Sequence, residues 1–163
     1  MGRIGRLPYT IAMVHWRQLS DGDAMLMIMT ASGTTAARAL APVHGKVLLV
    51  DDNEDLRTTV RFVLEDHGYQ VCEAQNGSQA LEVLEAYEPD VVVLDLHMPV
   101  MDGCTFMRCL RASQDPRTAC TPVVLLTAYP ESWTGGLVPT VLKPFDMNEL
   151  LATIRRARSS VAG

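Results

Sequence analysis

The sequence predicts an α/β fold built on a doubly wound, five-stranded parallel sheet. Three observations predict this class: apolar runs of strand length, amphipathic helical segments between them, and strict alternation of the two from residue 46 onward. Residues 46–50 (KVLLV) and 90–94 (DVVVL) have the continuous apolar character of strands buried on both faces. Because each return to a parallel strand requires a crossover, the alternation indicates a sheet covered by helices on both sides.

The first strand, residues 46–50, is followed by an amphipathic helix and a short second strand. In residues 55–67 apolar side chains recur at steps of three and four, which is the pattern of a helix with one buried face. Gly68 is typical of a helix end, because glycine readily adopts the left-handed conformation found there. Residues 69–74 then form the second strand.

The second helix and the third strand are delimited by capping and breaking residues. Asn76 or Ser78 can cap a helix that runs to Tyr87, since either side chain can accept a hydrogen bond from a free amide of the first turn. Pro89 ends that helix. Residues 90–94 follow as the most strand-like run in the chain.

The second half of the domain continues the alternation with one weak element. A third helix follows Gly103, further strands cover residues 122–126 and 138–142, and a last helix runs from 146 to about 158. Between those two strands, residues 129–136 leave room for about one helical turn. The sequence therefore predicts a reduced fourth helix.

The N-terminal region differs from the rest of the chain. We interpret residues 1–44 as a flexible extension, because no period is sustained there, and residues 45–160 as one globular domain. Two alternatives stay open for the extension. A segment around Trp16 could dock a partner or pack on the domain, or translation could start later, at Met25, Met27 or Met29.

Composition excludes several classes of protein. The net charge of −5 argues against a DNA-binding surface, which would usually be basic. No apolar run approaches the roughly 18 residues of a membrane helix, so we expect a cytoplasmic protein without a membrane partner. The cysteines match neither zinc ligation nor a disulfide framework, and we expect reduced, buried thiols. These cysteines are Cys72, Cys104, Cys109 and Cys120.

Polar residues with related chemistry stand at the ends of four predicted strands. They are Asp51 and Asp52 after the first strand, Asp95 after the third, Thr127 after the fourth and Lys143 after the fifth. Because the carboxyl ends of parallel strands meet at one edge of a sheet, where such folds bind ligands, these side chains should converge.

A cluster of three carboxylates requires a cation. At separations of about 4–5 Å, each pair repels by a few kcal/mol even at an effective dielectric constant of about 20. A set of oxygen ligands that leaves room for water suits Mg²⁺, which also associates with phosphate groups. The strand ends therefore predict a magnesium site.

Four blocks resemble the signature blocks of bacterial response-regulator receiver domains and follow one another in the order typical of that family. They are residues 50–54 (VDDNE), 94–103 (LDLHMPVMDG), 126–128 (LTA) and 142–145 (LKPF). The resemblance covers roughly residues 45–160 and implies the flavodoxin-like (βα)5 receiver fold.

The resemblance also implies a role for each residue at the strand ends. Asp95 would be the phosphoacceptor, assisted by Thr127 and Lys143. The resemblance implies that Asp52, Asp95 and the backbone carbonyl of His97 bind Mg²⁺ directly and that Asp51 binds it through water. The implied switch or regulatory positions are Thr127, Ala128, Tyr129, Trp133, Thr140 and Pro144, the last following Lys143 in what would be a cis peptide bond.

The sequence departs from the family pattern around the site. His97, two residues after Asp95, is either a solvated loop histidine or, with Tyr129, a control on water access and on the lifetime of the phosphate. Thr140 stands where many receivers carry an aromatic switch residue. Trp133 could replace that residue, or it could be a partly exposed loop anchor.

These features predict a phosphoacceptor in a two-component phosphorelay that signals through protein contacts. It would take phosphate from a sensor histidine kinase or a histidine phosphotransfer protein and act on a downstream protein target. It would not be an enzyme beyond phosphorylating and dephosphorylating itself. The alternatives are an Mg²⁺-dependent aspartyl-phosphate phosphatase and a receiver-like interaction module that works without phosphorylation.

Overall fold

The computed structural model describes residues 44–159 with their side chains and, before them, the backbone of residues 13–18, 24–29 and 36–39. The chain divides into two compact units, Met1–Val43 and His44–Gly163. In the described part of the chain, every helix is too short or too polar to cross a membrane.

The first unit contains a small antiparallel sheet. Its strands are β1 (Met13–Gln18), β2 (Ala24–Met29) and β3 (Ala36–Ala39), in the order β1-β2-β3. Sequence periodicity gave no sign of these strands. The flexibility of residues 1–44 and the docking role of Trp16 stay predictions, since the side chains of this unit lie outside the described part.

The second unit is built on the predicted five-stranded parallel sheet. All four strand pairs are parallel, and the order is β5-β4-β6-β7-β8. The five strands are β4 (Gly45–Val50), β5 (Tyr69–Ala74), β6 (Val91–Leu94), β7 (Val123–Thr127) and β8 (Thr140–Leu142). Because β4 lies between β5 and β6, the chain changes direction of travel across the sheet there, as a doubly wound fold requires.

Helices cover both faces of this sheet. They are α1 (Glu54–Asp66), α2 (Gly77–Tyr87), α3 (Gly103–Arg111), α4 (Pro116–Ala119) and α5 (Met147–Ser159). Val47 and Leu49 of β4 pack in a core cluster with α1 and α5, whereas Leu48 and Val50 pack in a second cluster with α2 and α3. Alternate residues of one strand thus face opposite layers, which confirms the predicted architecture.

Capping residues set where several helices begin. Of the two caps predicted for α2, Asn76 is the one observed: its Oδ1 atom accepts a hydrogen bond from the amide of Gln79 at 3.0 Å. The short helix α4 was not predicted. Its signal is Asp115, whose carboxylate accepts hydrogen bonds from the first turn, followed by Pro116 at the first helical position.

The segment between β7 and β8 contains one turn of 3-10 helix, Pro130–Ser132, in place of a full helix. This confirms the predicted reduction of the fourth helix. The strand expected at residues 138–142 is shorter, because β8 begins only at Thr140. Pro139 has no amide hydrogen to donate, although its carbonyl accepts from the amide of Leu125 at 2.8 Å.

The cysteines are free, as expected, but the prediction that they are buried is wrong. Cys72 and Cys104 are partly exposed, and Cys109 and Cys120 are exposed. The position of each on its element explains this. Cys109 lies on the solvent side of α3, whose inner face carries Phe106, Met107 and Leu110, and Cys120 ends the exposed turn α4.

Candidate functional site

The carboxyl ends of four neighbouring strands bring the predicted site residues to one edge of the sheet. Asp51 follows β4, Asp95 follows β6, Thr127 ends β7 and Lys143 follows β8. The register pairs Val50 with Leu94 and Thr127 with Leu142, so these strands end level with one another. Placement at this edge is a direct result of parallel pairing.

Asp51, Asp52 and Asp95 form a compact carboxylate cluster. One oxygen from each lies within 4.8 Å of the others. Asp51 is fully buried and Asp95 is 7% exposed, whereas Asp52 is open to solvent. Hard oxygen donors that range from the protein interior to the surface fit a cation such as Mg²⁺, which retains part of its water shell.

Lys143 bridges the two buried carboxylates. Its Nζ atom lies 2.5 Å from Oδ2 of Asp51 and 2.7 Å from Oδ2 of Asp95. The Lys143 amide donates to the carbonyl of Thr127 at 3.0 Å, and the peptide bond to Pro144 is cis, as the resemblance implies. The ammonium group thus partly neutralises the cluster from within the protein.

The titration of this cluster follows from burial and hydrogen bonding. Burial raises the pKa of Asp51, and it outweighs the hydrogen bonds from Lys143 and the Asn53 amide, which lower it. Burial lowers the pKa of Lys143, but the hydrogen bonds to Asp51 and Asp95 together raise it above its ordinary value. Lys143 therefore stays a cation near neutral pH.

The backbone around Asp95 is closely packed. The Asp95 amide donates to the carbonyl of Val50 at 2.8 Å, and its Oδ1 atom accepts from the amide of His97 at 3.2 Å. Gly103 begins α3 directly against this strand end, where an added Cβ would lie 2.3 Å from the carbonyl oxygen of Asp95. A side chain at residue 103 would therefore displace the backbone of Asp95.

Asp51 is held by three hydrogen bonds of its own. Its amide donates to Ala74 at 3.2 Å, its Oδ1 accepts from the Asn53 amide at 2.9 Å, and its carbonyl accepts from Nη1 of Arg57 at 2.7 Å. Sequence reasoning missed Arg57. A basic residue near the N-terminus of a helix opposes the helix dipole, and this was the signal that could have found it.

Thr127 is fully buried, and its Oγ1 atom accepts a hydrogen bond from the amide of Tyr129 at 3.2 Å. Ala128 and Tyr129 are exposed. The threonine hydroxyl oxygen thus fixes the start of the loop that follows β7.

His97 is exposed but has partners on that loop. Its Nε2 atom lies 3.2 Å from Oγ of Ser132, and its ring meets the ring of Tyr129 edge-on with centroids 5.3 Å apart. The sulfur of Cys104 lies 3.5 Å from the Ser132 carbonyl. His97 therefore joins the loop after Asp95 to the 3-10 turn, instead of extending freely into solvent.

Trp133 anchors the rest of the loop. Its ring packs against the core cluster of α2 and α3, and its Nε1–H donates to the carbonyl of Gly136 at 2.8 Å. Gly135 lies so close that an added Cβ would come within 2.3 Å of the indole ring. Thr140 is partly buried, with its hydroxyl donating to Val138. Trp133 thus covers part of the core beside α2 and α3.

Comparison with known proteins identifies relatives of this unit. The family model for the response regulator receiver domain matches residues 47–155. Sporulation initiation phosphotransferase F of Bacillus subtilis is 32% identical over 120 residues, which is 70% of this chain and 94% of that protein. Two other curated relatives are longer, and the chain spans 25% and 47% of their lengths.

Two solved structures are similar to the chain. Chemotaxis protein CheY4 of Vibrio cholerae is 35% identical with a TM-score of 0.63, over 69% of this chain and 97% of that one. The receiver domain of sensor histidine kinase PA1611 of Pseudomonas aeruginosa is 28% identical with a TM-score of 0.62, over 71% of this chain and 98% of that one. The latter holds a magnesium ion coordinated in its active site cleft.

Proposed function

Because the chain belongs to the response regulator receiver domain family, a family of signalling domains, we propose that it accepts a phosphoryl group on Asp95 with Mg²⁺ bound beside it. One observation carries the proposal: Asp95, Asp51 and Lys143 are joined by two ion pairs at an edge of the sheet where Asp52 opens to solvent. The carboxylate that would act as nucleophile is therefore paired with a cation and lies beside the carboxylates that would bind the metal.

The residues of this chain would divide the chemistry between them. The Asp95 carboxylate attacks the phosphorus of a phosphohistidine, the P–O bond forms, and the P–N bond breaks with its electron pair staying on the imidazole. Lys143 can move its hydrogen bond from Oδ2 of Asp95 to a phosphoryl oxygen, and the Thr127 hydroxyl offers a second donor.

The Mg²⁺ ligands would be Asp52, Asp95 and the backbone carbonyl of His97, with Asp51 binding the ion through water. When bound, Mg²⁺ would offset negative charge on the transferring oxygens. Two facts support this assignment: the donor set consists of oxygens that reach the surface, and the receiver of PA1611, a relative in fold and sequence, holds magnesium in its cleft.

The partners would be a sensor histidine kinase or a histidine phosphotransfer protein on the donor side and a protein target on the output side, all in the cytoplasm. A net charge of −5 argues against DNA as a direct partner. The loop after Thr127, which His97 contacts through Tyr129 and Ser132, would control water access to the phosphate and carry its signal.

Phosphorylation with a small donor tests the proposal. Wild-type protein incubated with Mg²⁺ and acetyl phosphate should gain one phosphoryl group by intact mass, and Asp95→Asn should gain none. Asp66→Asn is a matched control, because Asp66 is an exposed residue at the end of α1, and it should behave like the wild type.

Three results would overturn the proposal. Equal phosphate uptake by Asp95→Asn and wild type would place the acceptor elsewhere. Repeated turnover of a small phosphate ester would instead favour an Mg²⁺-dependent phosphatase. A protein that takes up no phosphate yet binds its partner would be a phosphorylation-independent module.

A further inference from the structure

Arg57 touches the peptide that joins the two acidic residues after β4. Its Nη1 atom donates to the carbonyl oxygen of Asp51 at 2.7 Å, and its side chain is only 14% exposed. From the other side its Nε atom lies 3.5 Å from Glu73 of β5. We propose that Arg57 is a positioning residue that fixes the Asp51–Asp52 peptide for Mg²⁺, an inference that rests on the proposed function.

Asp52 is the member of the cluster that depends on this contact. Asp51 is already held through its amide and its Oδ1 atom. Within residues 44–159, by contrast, nothing forms a hydrogen bond or an ion pair with the Asp52 carboxylate, which is exposed. The position of Asp52 therefore follows from its backbone.

The planar peptide bond transmits the effect of Arg57 to Asp52. The Asp51 carbonyl oxygen and the Asp52 amide and Cα lie in one peptide plane. A guanidinium group that holds the oxygen therefore also fixes the Asp52 Cα and the N–Cα axis about which its side chain turns. Groups that orient metal ligands from outside typically change metal affinity 10- to 100-fold when removed.

A second arginine allows the positioning role of Arg57 to be separated from the effect of its positive charge. Glu73 pairs with Arg57 and also with Arg61, whose Nε atom lies 2.9 Å from its Oε2. Arg61 stands one helical turn beyond Arg57 and shares the same acidic partner, but it has no contact with Asp51. Arg57 alone of the two donates to the Asp51 carbonyl, and its side chain is 14% exposed against 40% for Arg61, which also lies 3.8 Å from Glu65.

The experiment compares Arg57→Met with Arg61→Met in the full chain. Titration of MgCl₂ by calorimetry should give a Kd about tenfold weaker for Arg57→Met and within about twofold of wild type for Arg61→Met. Each variant loses one positive charge and one ion pair with Glu73, and Arg61→Met also loses the 3.8 Å pair with Glu65. Thermal unfolding in EDTA measures the stability that each variant loses without metal, with the larger shift expected for the less exposed Arg57, and so separates stability from metal binding.

Two other variants distinguish positioning by Arg57 from an effect of its charge alone. Arg57→Lys keeps the charge but loses the planar fork that reaches Asp51 and Glu73 together, so its Kd should stay weak; full recovery would overturn positioning in favour of charge. Glu73→Gln keeps Arg57 but weakens the ion pair that holds its guanidinium group. Mg²⁺ binding should therefore become weaker in this variant as well. The variant tests the inference even if Arg57→Met fails to fold.

The outcomes also separate this inference from the proposed function. A wild-type protein that binds Mg²⁺ while Arg57→Met binds it equally tightly would overturn the inference alone. Equal weakening in Arg57→Met and Arg61→Met would do the same, because it would show a general charge effect. A wild-type protein that binds no Mg²⁺ would overturn the proposed function and this inference with it.

Discussion

The acidic site and the loop between β7 and β8 lie side by side but are held in different ways. Asp51, Asp95 and Thr127 are buried at the ends of paired strands, so sheet register determines their positions. The loop has one 3-10 turn and is held by the side chains of His97 and Trp133. A site fixed by strands should tolerate changes in a loop fixed by side chains.

The largest expected effect on stability comes from removing the ammonium group of Lys143. Lys143→Met should lower the free energy of unfolding by about 3 kcal/mol in EDTA, because it leaves two adjacent, buried carboxylates without their partner. Mg²⁺ should restore much of this loss, since it supplies a cation to the same oxygens. Urea denaturation followed by circular dichroism, with and without Mg²⁺, measures both effects.

Lys46→Met is the control for this prediction. Lys46 donates to the Tyr87 carbonyl and lies over its ring, away from the carboxylate cluster, so its replacement should cost at most about 1 kcal/mol and show no sensitivity to Mg²⁺. Equal loss in both variants would mean that the Lys143 bridge adds no special stability.

A smaller effect is expected from the loop. Trp133→Ala should lower the free energy of unfolding by about 2 kcal/mol, below the 3–5 kcal/mol typical of a fully buried aromatic residue, because the indole is partly exposed. The Kd for Mg²⁺ should stay within about twofold of wild type. Denaturation and calorimetry of the same samples give the two quantities.

Tyr129→Ala is the matched control in this loop. Its ring is 57% exposed, so the free energy of unfolding should change by less than about 0.5 kcal/mol. If Trp133→Ala instead weakened Mg²⁺ binding strongly, the loop and the site would be coupled, and the alternative of Trp133 as a mobile aromatic switch would gain support.

The smallest effect concerns stability in acid, and it comes from the N-terminus of α3, whose first residue, Gly103, packs against Asp95. Asp102 caps α3, and hydrogen bonds from the backbone amide and the hydroxyl of Thr105 lower the pKa of its carboxyl group. A lowered native pKa means that this stabilisation is complete above the unfolded-state value of about 3.9 and is lost as pH falls through the native value.

Asp102→Asn keeps a good capping acceptor but cannot titrate. The difference in unfolding free energy between wild type and Asp102→Asn should therefore be constant near neutral pH and move against the wild type below about pH 4. Urea denaturation at a series of pH values measures this difference. A difference that does not change across the acid range would contradict the role given to the cap.

Much of the fold could be predicted because its strands are locally encoded. Continuous apolar runs place β4 and β6, and parallel pairing then places Asp51 and Asp95 at one edge without knowledge of any contact. The family assignment follows the same blocks and is confirmed by the match over residues 47–155. Roles for individual residues in phosphorylation stay predictions.

The remaining features depend on contacts between elements that are distant in sequence. The contact of Arg57 with Asp51 requires the packing of α1 beside β5, where Glu73 lies. The partners of His97 come from a loop 35 residues further along the chain. Periodicity and motif spacing carry no information on such contacts.

The strand β8 is an unusually short edge strand of the parallel sheet. It has only three residues, Thr140–Leu142; Pro139 directly precedes it and Pro144 lies two residues beyond its end. Short edge strands and prolines are two features by which proteins prevent a strand of another molecule from adding to a sheet. Association of two copies on this side would therefore rely on side chains such as Leu142, which is 52% exposed, and not on a continuous sheet across the copies.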